Sequence, residues 1–410
     1  DLNCSNTDFI RTTESRHKDY VMEIWQQLEK RGHIYLDKYA GWYSVRDECF
    51  FQESELIDGK APTGAEVEWV EEESYFFKLS AFEKPLLDYY QANPDFIMPE
   101  SRKNEVISFV ESGLKDLSIS RTSFSWGIPV PNCGATPHIM YVWIDALFNY
   151  MSADPNNWPA DVHIVGKDIL RFHAVYWPAL LMALDLPQSR HIFAHGWWTN
   201  EGQKISKSLG NVLDPYELIK ESSLDYFRFY IMREFPFGND GNYSHTSFVN
   251  RINAELANNI GNLLQRTVTI AIKKCDGKVP APDALSDEDN ALLKTANDTL
   301  SNMRQHFDKY EIQHAIGMIV DLGHACNEYI NIKAPWAESD PQKLYNTIFV
   351  LLNAIYKIAV FLQVVIPDSA AKMLAVFGEN NAVNFEQIGE LMPLAEGVAL
   401  IKPEIIFARI

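Results

Sequence analysis

The sequence predicts an α/β protein that continues into an α-helical bundle. Between about Ile119 and Pro215, apolar runs rich in β-formers alternate with helix-like stretches, an order typical of parallel strands joined by crossover helices. From Phe248 onward, nearly all of the chain shows the apolar periodicity of helices in an antiparallel bundle. With 410 residues the chain is also too long for one compact core, so several domains are expected.

The part before Ile119 is mixed and acidic. Helical apolar spacing runs over Arg16–Arg31 and ends at a glycine, and a second helix is predicted over Glu100–Gly113. Short strand-like runs, such as Gly41–Val45, lie between these two helices.

Two strands and two helices are predicted in the α/β region. The strands are Ile139–Trp143 and Val162–Val165, and each leads into a helix-like stretch, Asp145–Ser152 and Asp168–Leu184 respectively. Ligands of such sheets bind at the carboxyl ends of the strands, so the loops that follow them are the candidate site.

The most apolar stretch of the chain, Ile348–Ile366, is nearly long enough to cross a bilayer. It contains Asn353, Lys357 and Gln363, which are spaced as on the solvent side of a helix. The sequence therefore predicts a bundle helix here, no membrane partner, and a loosely packed tail after about Val383.

Composition and charge exclude a few classes of protein. A net charge of −19 argues against a chain that coats nucleic acid without specificity. The five cysteines are scattered and form no C-x-x-C pair, so neither a zinc site nor a disulfide framework is indicated. With no basic region followed by an apolar core at the start, we expect a reducing compartment, the cytoplasm, with the mitochondrial matrix as the alternative.

The most specific motif is Lys204-Ile205-Ser206-Lys207-Ser208, which lies between Gly202 and Gly210. The flanking glycines allow a loop to move, and its two ammonium groups suit the charge that builds up during attack on a triphosphate. The serine hydroxyls can donate hydrogen bonds to the same phosphates. A solvated basic loop is the ordinary alternative for a pair of lysines.

This motif is similar to the second signature of class I aminoacyl-tRNA synthetases, written KMSKS, with Ile205 in place of Met. Further runs resemble the methionyl-tRNA synthetases and occur in that family's order: Tyr141–Ala146, Gly166–His173, His195–Thr199, Asn327–Asn331 and Ala334–Trp336. The resemblance implies the C-terminal half of a Rossmann-like class I catalytic domain with a connective insertion, followed by an α-helical anticodon-binding bundle. It also implies that methionine is activated with ATP and transferred to methionine tRNA.

The resemblance divides the chain into five parts. A connective-peptide insertion is expected over 1–118, the second half of the nucleotide-binding domain over 119–215, and a stem-contact connector over 216–247. The anticodon-binding domain is expected over 248–382 and a C-terminal tail over 383–410.

For methionine, the resemblance implies a pocket that suits a polarisable thioether. Core packing is the ordinary explanation for any one of these aromatic side chains, and it is the matched set that favours a pocket. The implied members are Trp143, Ala146, Tyr150, Ile169, Phe172, His173 and Trp177.

For ATP, the resemblance implies Gly166 and Asp168 at a strand-to-helix turn and His195 and Gly196 after the next strand. A helix N-cap is a second role open to Asp168. The signature loop adds Lys204, Ser206, Lys207 and Ser208, of which Lys204 and Lys207 are the implied catalytic residues. Mg²⁺ is implied by the triphosphate chemistry.

For RNA, Asn262 and Arg266 are four residues apart and so face the same way on a helix. Trp336, after Pro335, could stack on an unpaired base. The resemblance implies that these four residues recognise the CAU anticodon. Arg251, Lys273 and Lys274 are candidates for phosphate contacts.

The sequence departs from the family in two places. None of the eleven histidines stands in an H-x-G-H arrangement, so we expect the first half of the nucleotide-binding fold to be absent and a missing N-terminal segment to be needed for activity. Ser44 and Asp47 stand where many relatives have their first zinc-binding cysteines. We therefore expect a zinc-free knuckle that packs around Trp42, Tyr43 and Phe50.

Three rival functions stay open at this point. A leucyl, isoleucyl or valyl enzyme would carry a much larger editing insertion, and a cysteinyl enzyme would show zinc ligands near its pocket. A non-catalytic protein could bind tRNA with the helical bundle alone. Methionine binding in the absence of RNA distinguishes this last rival from an enzyme.

Overall fold

The computed structural model describes residues 3–46, 49–51, 53–134, 136–205, 210–379, 381–385, 389 and 393–410. These residues form two compact units that meet in sequence between His195 and Gly196. The division of the chain into five parts stays a prediction.

The first unit combines α-helices with an antiparallel and a parallel sheet. Its helices are α1 (Ser15–Lys30), α2 (Glu83–Ala92), α3 (Glu100–Glu111), α4 (Val142–Leu147), α5 (Asn149–Ala153) and α6 (Trp177–Ala183). Its strands are β1 (Ile34–Ser44), β2 (Cys49–Phe51), β3 (Glu68–Phe77), β4 (Ile97–Met98), β5 (Leu117–Ser118), β6 (Ser120–Arg121), β7 (Ile139–Met140), β8 (Val162–Gly166) and β9 (His191–His195). Strands β2-β1-β3-β5 form the antiparallel sheet.

A small parallel sheet, in the order β4-β9-β8, lies in the same unit. The chain passes from β8 through α6 to the adjacent β9, which is the predicted strand–helix–strand order. The strand predicted at Ile139–Trp143 is wrong, because only its first two residues form a strand and they pair antiparallel with β6. From Val142 the backbone is already helical.

The single helix predicted over Asp168–Leu184 is also interrupted. Phe172–Tyr176 form a π-helical segment, which leads into α6. The reason lies in Pro178, which has no N–H to donate to the carbonyl of Ala174. That carbonyl instead accepts a hydrogen bond from the buried hydroxyl of Tyr90 at 2.5 Å.

The second unit is mainly helical. Its helices are α7 (Pro215–Glu221), α8 (Leu224–Arg233), α9 (His245–Arg251), α10 (Asn262–Lys274), α11 (Asp287–Asp308), α12 (Ile312–Lys333), α13 (Pro341–Leu362) and α14 (Pro367–Ala375), with a π-helical segment over Ile252–Gly261. Its strands are β10 (Trp198–Asn200), β11 (Gln203–Lys204) and β12 (Gly241–Tyr243), which form one sheet in the order β11-β10-β12.

Helix α13 is the central helix of the bundle. By length and composition it could cross a membrane, but 94% of its most apolar window is buried inside the protein, as in a core helix. The solvent side predicted for this helix is wrong, since both Asn353 and Lys357 are buried. The Lys357 ammonium donates to the Asn297 side chain on α11 at 3.0 Å, and burial lowers the pKa of Lys357 to about 8.

The loosely packed tail predicted after Val383 is likewise wrong for the described residues. Gln363 exchanges two hydrogen bonds with the backbone of Val383, and the Asn353 side chain accepts a hydrogen bond from the backbone N–H of Leu394 at 2.9 Å. Buried Phe407 also packs into the core of the second unit. Buried Asn353 of α13 and half-buried Gln363, just after the helix, thus hold this segment in place, and the segment covers part of the side that the sequence assigned to solvent.

Candidate active site and RNA-binding face

Three of the predicted ATP residues lie at the carboxyl ends of two neighbouring parallel strands. Gly166 ends β8 and His195 ends β9, and the two residues are paired across the sheet. A Cβ at Gly166 would overlap Asp168 Oδ1 and come within 3.9 Å of His195 Cε1. Glycine is required for this close approach. We call the small depression formed by Gly166, Asp168 and His195, with a carboxylate and an imidazole at its edge, the cradle.

Gly196 follows directly but belongs to the second unit. A Cβ there would overlap the backbone of Asn239, so this position too requires glycine. The next residue, Trp197, donates its backbone N–H to Asp240 Oδ1 at 2.8 Å, which fastens the start of the β10 sheet.

Lys204 lies on β11, where it pairs with Thr199 of β10 and its ammonium lies 5.9 Å from the Trp197 ring centroid. Asn211 braces the two ends of the signature loop, because its side chain donates to the Lys204 carbonyl at 3.0 Å and its own carbonyl accepts from the Asn200 side chain. Sequence reasoning missed this bracing residue. The remaining predicted loop residues, Ser206, Lys207 and Ser208, lie outside the described residues.

The predicted methionine residues gather on α4, α5, the π-helical segment, the start of α6 and the turn at Ile169. Trp143 and Phe172 stack face to face with ring centroids 3.9 Å apart. Beside this stack, the Tyr150 hydroxyl and His173 Nε2 are 2.6 Å apart, and His173 Nδ1 is 2.9 Å from the Ile169 carbonyl oxygen. Trp177 lies fully buried with its ring 6.2 Å from that of Tyr150, and Ala146 is half-buried on α4.

The direction of these hydrogen bonds follows from the chemistry of the partners. A carbonyl oxygen only accepts, so His173 carries its proton on Nδ1 and its Nε2 accepts from Tyr150. Burial lowers the pKa of His173 despite the bond to the Ile169 carbonyl, and burial raises the pKa of Tyr150. Both groups are therefore neutral at neutral pH, and this part of the aromatic cluster is polar without a net charge.

Sequence reasoning missed His163 and Trp158, which extend this aromatic cluster. The His163 ring lies 4.3 Å from that of Tyr150 and 5.9 Å from that of Trp158. Burial, with a smaller contribution from neighbouring His173, lowers the pKa of His163 to about 4. Alternation along β8 was the available signal, because His163 and Val165 point to the same buried face.

Two of the predicted anticodon residues touch each other in the second unit. The Arg266 guanidinium lies 5.2 Å from the Trp336 ring centroid, and Nη2 of Arg266 donates to Asn331 Oδ1 at 3.1 Å. Trp336 is 49% exposed, so one face of its ring can receive another planar group. Asn331 was not predicted as a site residue, although it belongs to one of the matched runs.

Lys274 stabilises the turn that contains Pro335 and Trp336. Its ammonium donates to the carbonyl oxygens of Pro335 and Trp336, both at 3.0 Å, after a backbone reversal at Ala334 with φ +42°. Arg251, a candidate for phosphate contact, forms ion pairs with Glu234 and Glu255, and its phosphate contact stays a prediction.

Asn262, one turn before Arg266, is exposed at the first residue of α10. It lines a cleft of about 610 Å³ between the helical segment 257–265 and the chain segment 405–409. The predicted RNA face thus consists of an exposed amide, a guanidinium and an indole on one side of the second unit, with Pro335 in the supporting turn.

Comparison with known proteins gives matches along the whole chain. A family described as "tRNA synthetases class I (M)" matches residues 1–68 and 53–268, and one described as "Anticodon binding domain of methionyl tRNA ligase" matches residues 279–410. The methionine–tRNA ligase of Rickettsia felis is 52% identical over all of this chain and 82% of its own length. That of Rhizobium meliloti is 46% identical over all of this chain and 82% of its own length.

Solved structures agree with these relatives. Mycobacterium tuberculosis methionyl-tRNA synthetase bound by methionyl-adenylate is 45% identical with a TM-score of 0.90, and the match covers 99% of this chain and 84% of that one. The apo form of the same enzyme is 44% identical with a TM-score of 0.89, and the match covers 100% of this chain and 84% of that one. Because the relatives align along this entire chain, the comparisons give no support to the expectation that a missing segment must complete the site.

Proposed function

Because the chain belongs to the methionine–tRNA ligases of class I, whose reaction is activation of methionine with ATP and its transfer to tRNA, we propose roles in that reaction for the residues described above. The observation that carries the proposal is the polar chain from Tyr150 through His173 to the Ile169 carbonyl, beside the stacked Trp143 and Phe172. The rings offer polarisable walls to a thioether, and the neutral polar chain fixes one side of the pocket.

A single substitution tests the polar chain. Tyr150→Phe keeps the ring but leaves His173 Nε2 buried without its donor, and an unpaired buried acceptor costs about 1–3 kcal/mol. We expect the Kd for methionine, measured by calorimetry without RNA, to rise about tenfold. Leucine and cysteine serve as competitors with the wild-type chain. Equal affinity of the variant and wild type would refute the role of Tyr150, and absence of methionine binding by the wild type would favour a tRNA-binding protein.

For the nucleotide, we propose that the cradle of Gly166, Asp168 and His195 holds the nucleoside part of ATP, with the Asp168 carboxylate accepting ribose hydroxyls. Gly196, which follows His195, belongs to the segment proposed to meet the adenine. The signature loop, with Lys204, Ser206, Lys207 and Ser208, acts on the phosphates. The methionine carboxylate itself attacks the α-phosphorus and pyrophosphate leaves, so no side chain needs to act as nucleophile. Lys204 and Lys207 stabilise the developing negative charge.

Mg²⁺ is proposed to enter with ATP and to neutralise charge on the triphosphate. The described residues contain no group of three or more His, Cys, Asp or Glu side chains placed to hold a metal ion. A magnesium ion bound mainly by phosphate oxygens requires no such group.

ATP–pyrophosphate exchange tests adenylate formation directly. We expect the exchange to depend on methionine and not on leucine or cysteine, because the aromatic walls of the proposed pocket suit a thioether. Exchange supported equally by leucine or cysteine would overturn this assignment of the pocket.

The antiparallel sheet is proposed to form a knuckle without zinc. Ser44 is buried at the end of β1, where a cysteine ligand would be needed, and the Trp42 and Trp69 rings pack edge to face at 5.4 Å. Asp47, the other departure from the cysteine pattern, lies outside the described residues. We expect purified protein to contain less than about 0.1 zinc per chain by mass spectrometry, since the favoured four-ligand set is incomplete. A stoichiometric ion that resists dialysis would contradict this.

The RNA partner is proposed to be methionine tRNA, bound through its CAU anticodon by Asn262, Arg266, Pro335 and Trp336. We also propose a reducing location, the cytoplasm or the mitochondrial matrix. Free thiols at Cys4, Cys133, Cys275 and Cys326 support this location.

A further inference from the structure

Three side chains of the first unit form a buried hydrogen-bonded chain that the proposed reaction does not use. His17 Nδ1 is 2.7 Å from Ser152 Oγ, and His17 Nε2 is 2.6 Å from Asp145 Oδ1. His17 is fully buried and Ser152 is 6% exposed. A buried imidazole with both nitrogens engaged is held in one orientation.

The three residues come from three different helices. Asp145 belongs to α4 and Ser152 to α5, and these two helices are separated at Phe148. His17 belongs to α1, so its ring bridges the break from outside. The rigid imidazole therefore sets the separation between a point on α4 and a point on α5.

The same two helices carry two neighbouring parts of the proposed methionine pocket. Trp143, two residues before Asp145, stacks on Phe172, while Tyr150, two residues before Ser152, bonds to His173. We propose that His17 is a positioning residue, which fixes the geometry of α4 relative to α5 and so pre-organises both walls of the methionine pocket. This inference rests on the proposed function of that pocket.

The chemistry of the bridge explains why histidine stands at this position. A carboxylate only accepts, so His17 Nε2 carries a proton and donates to Asp145. The opposite ring nitrogen is then available to Ser152, whose hydroxyl oxygen also lies 3.2 Å from the Asn149 carbonyl. Among the amino acids, histidine presents two hydrogen-bonding nitrogens on one rigid ring.

Helix α1 is itself well anchored, as a positioning element must be. Its residues Val21, Trp25 and Leu28 are fully buried in the core of the first unit. Two further contacts reach α5 from the same helix: Arg16 donates to the Ala153 carbonyl at 3.3 Å, and the Tyr20 hydroxyl lies 3.7 Å from Met151 Sδ. Movement of α5 therefore requires breaking several contacts with α1.

A serine, histidine and aspartate in this order also resemble a hydrolytic triad. Burial excludes that role, because an acyl substrate would have to reach Ser152 Oγ past the surrounding core. The chain is a structural bridge in which the serine hydroxyl is a partner and not a nucleophile.

Three variants separate the two bonds of the bridge. His17→Ala removes both hydrogen bonds. His17→Gln places an amide nitrogen near the Nε2 position and keeps the bond to Asp145. His17→Asn places an amide nitrogen near the Nδ1 position and keeps the bond to Ser152. Calorimetry gives both the methionine Kd and the number of sites. Residues that orient a binding group through another residue typically contribute 10- to 100-fold, so we expect the Kd of His17→Ala to rise about tenfold. We expect smaller rises for His17→Gln and His17→Asn, at an unchanged number of sites.

A merely structural role predicts a different result. Partial unfolding would lower the number of sites and leave the Kd of the remaining sites unchanged, and this outcome would overturn the proposal. Binding of an anticodon stem-loop reports folding of the second unit alone, and the number of methionine sites reports folding of the first unit. The ¹⁵N shifts of His173 in the ligand-free protein report the Tyr150 bond, and unchanged shifts in His17→Ala would also overturn the proposal. If the wild type binds no methionine while the His173 shifts move as expected, the proposed function fails but the positioning role stands.

Discussion

Replacing Arg266 by alanine is expected to lower the affinity for an anticodon stem-loop containing CAU by about 10- to 100-fold, the contribution of one arginine that reads a base edge. The guanidinium also contacts the Trp336 ring and the Asn331 side chain, and both contacts are lost with it. For a stem-loop with an altered anticodon the loss of affinity should be far smaller, because Arg266 is proposed to contact the base and not the phosphate.

The measurement is fluorescence titration of labelled stem-loops at fixed salt, since phosphate contacts depend on ionic strength. Arg304→Ala, which removes an exposed arginine from α11, is the matched control for loss of one positive charge. A double-mutant cycle with Trp336→Ala measures the coupling of the two side chains. Equal losses for CAU and altered anticodons would show that Arg266 contributes charge alone.

Lowering the pH from 7 to 4 is expected to destabilise the first unit by about 3 kcal/mol through His163 alone. Burial lowers the pKa of this histidine to about 4 in the folded protein. In the unfolded chain it takes up a proton near pH 6.5. Between these two pKa values only the unfolded state binds the proton. The contribution of neutral His163 to the free energy of unfolding is therefore fully present above pH 6.5 and is lost as the pH falls toward 4.

His163→Phe removes this proton uptake and keeps an aromatic ring among Tyr150, Trp158 and Trp177. We expect the difference in unfolding free energy between wild type and variant, measured by urea titration, to decline by about 3 kcal/mol from pH 7 to pH 4. Trp158→Phe changes the same cluster without removing a titrating group and is the control. Parallel pH profiles for wild type and His163→Phe would mean that the pKa of His163 is the same in the folded and unfolded states.

Much of the fold was predictable because it depends on local periodicity. The helix predicted over Arg16–Arg31 is α1 within one residue, and the strand at Val162–Val165 is β8. The order of β8, α6 and β9 followed from alternating apolar patterns, and the bundle followed from the helical spacing after Phe248. The matched runs identified the family, which the comparisons confirm.

Other features depend on contacts between distant parts of the chain, which periodicity does not encode. In place of the strand predicted at Ile139–Trp143, the structure has the two-residue strand β7, which pairs with β6 and not with the parallel sheet. Helix α13 looked amphipathic, but the residues assigned to water are covered by α11 and the C-terminal segment, which only the fold brings there. The interruption after Phe172 needed both Pro178, visible in the sequence, and Tyr90, which approaches from elsewhere.

The sequence by itself determined the family, the strand–helix order and the chemical types at the candidate sites, because motifs and periodicity are local properties. The tertiary structure decided which groups meet: His173 with Tyr150, Arg266 with Trp336, and His17 across the break between α4 and α5. The burial of these side chains and the direction of their hydrogen bonds depend on such contacts between distant parts of the chain. The protonation state of the proposed methionine pocket and its proposed support by α1 are therefore properties of the folded chain.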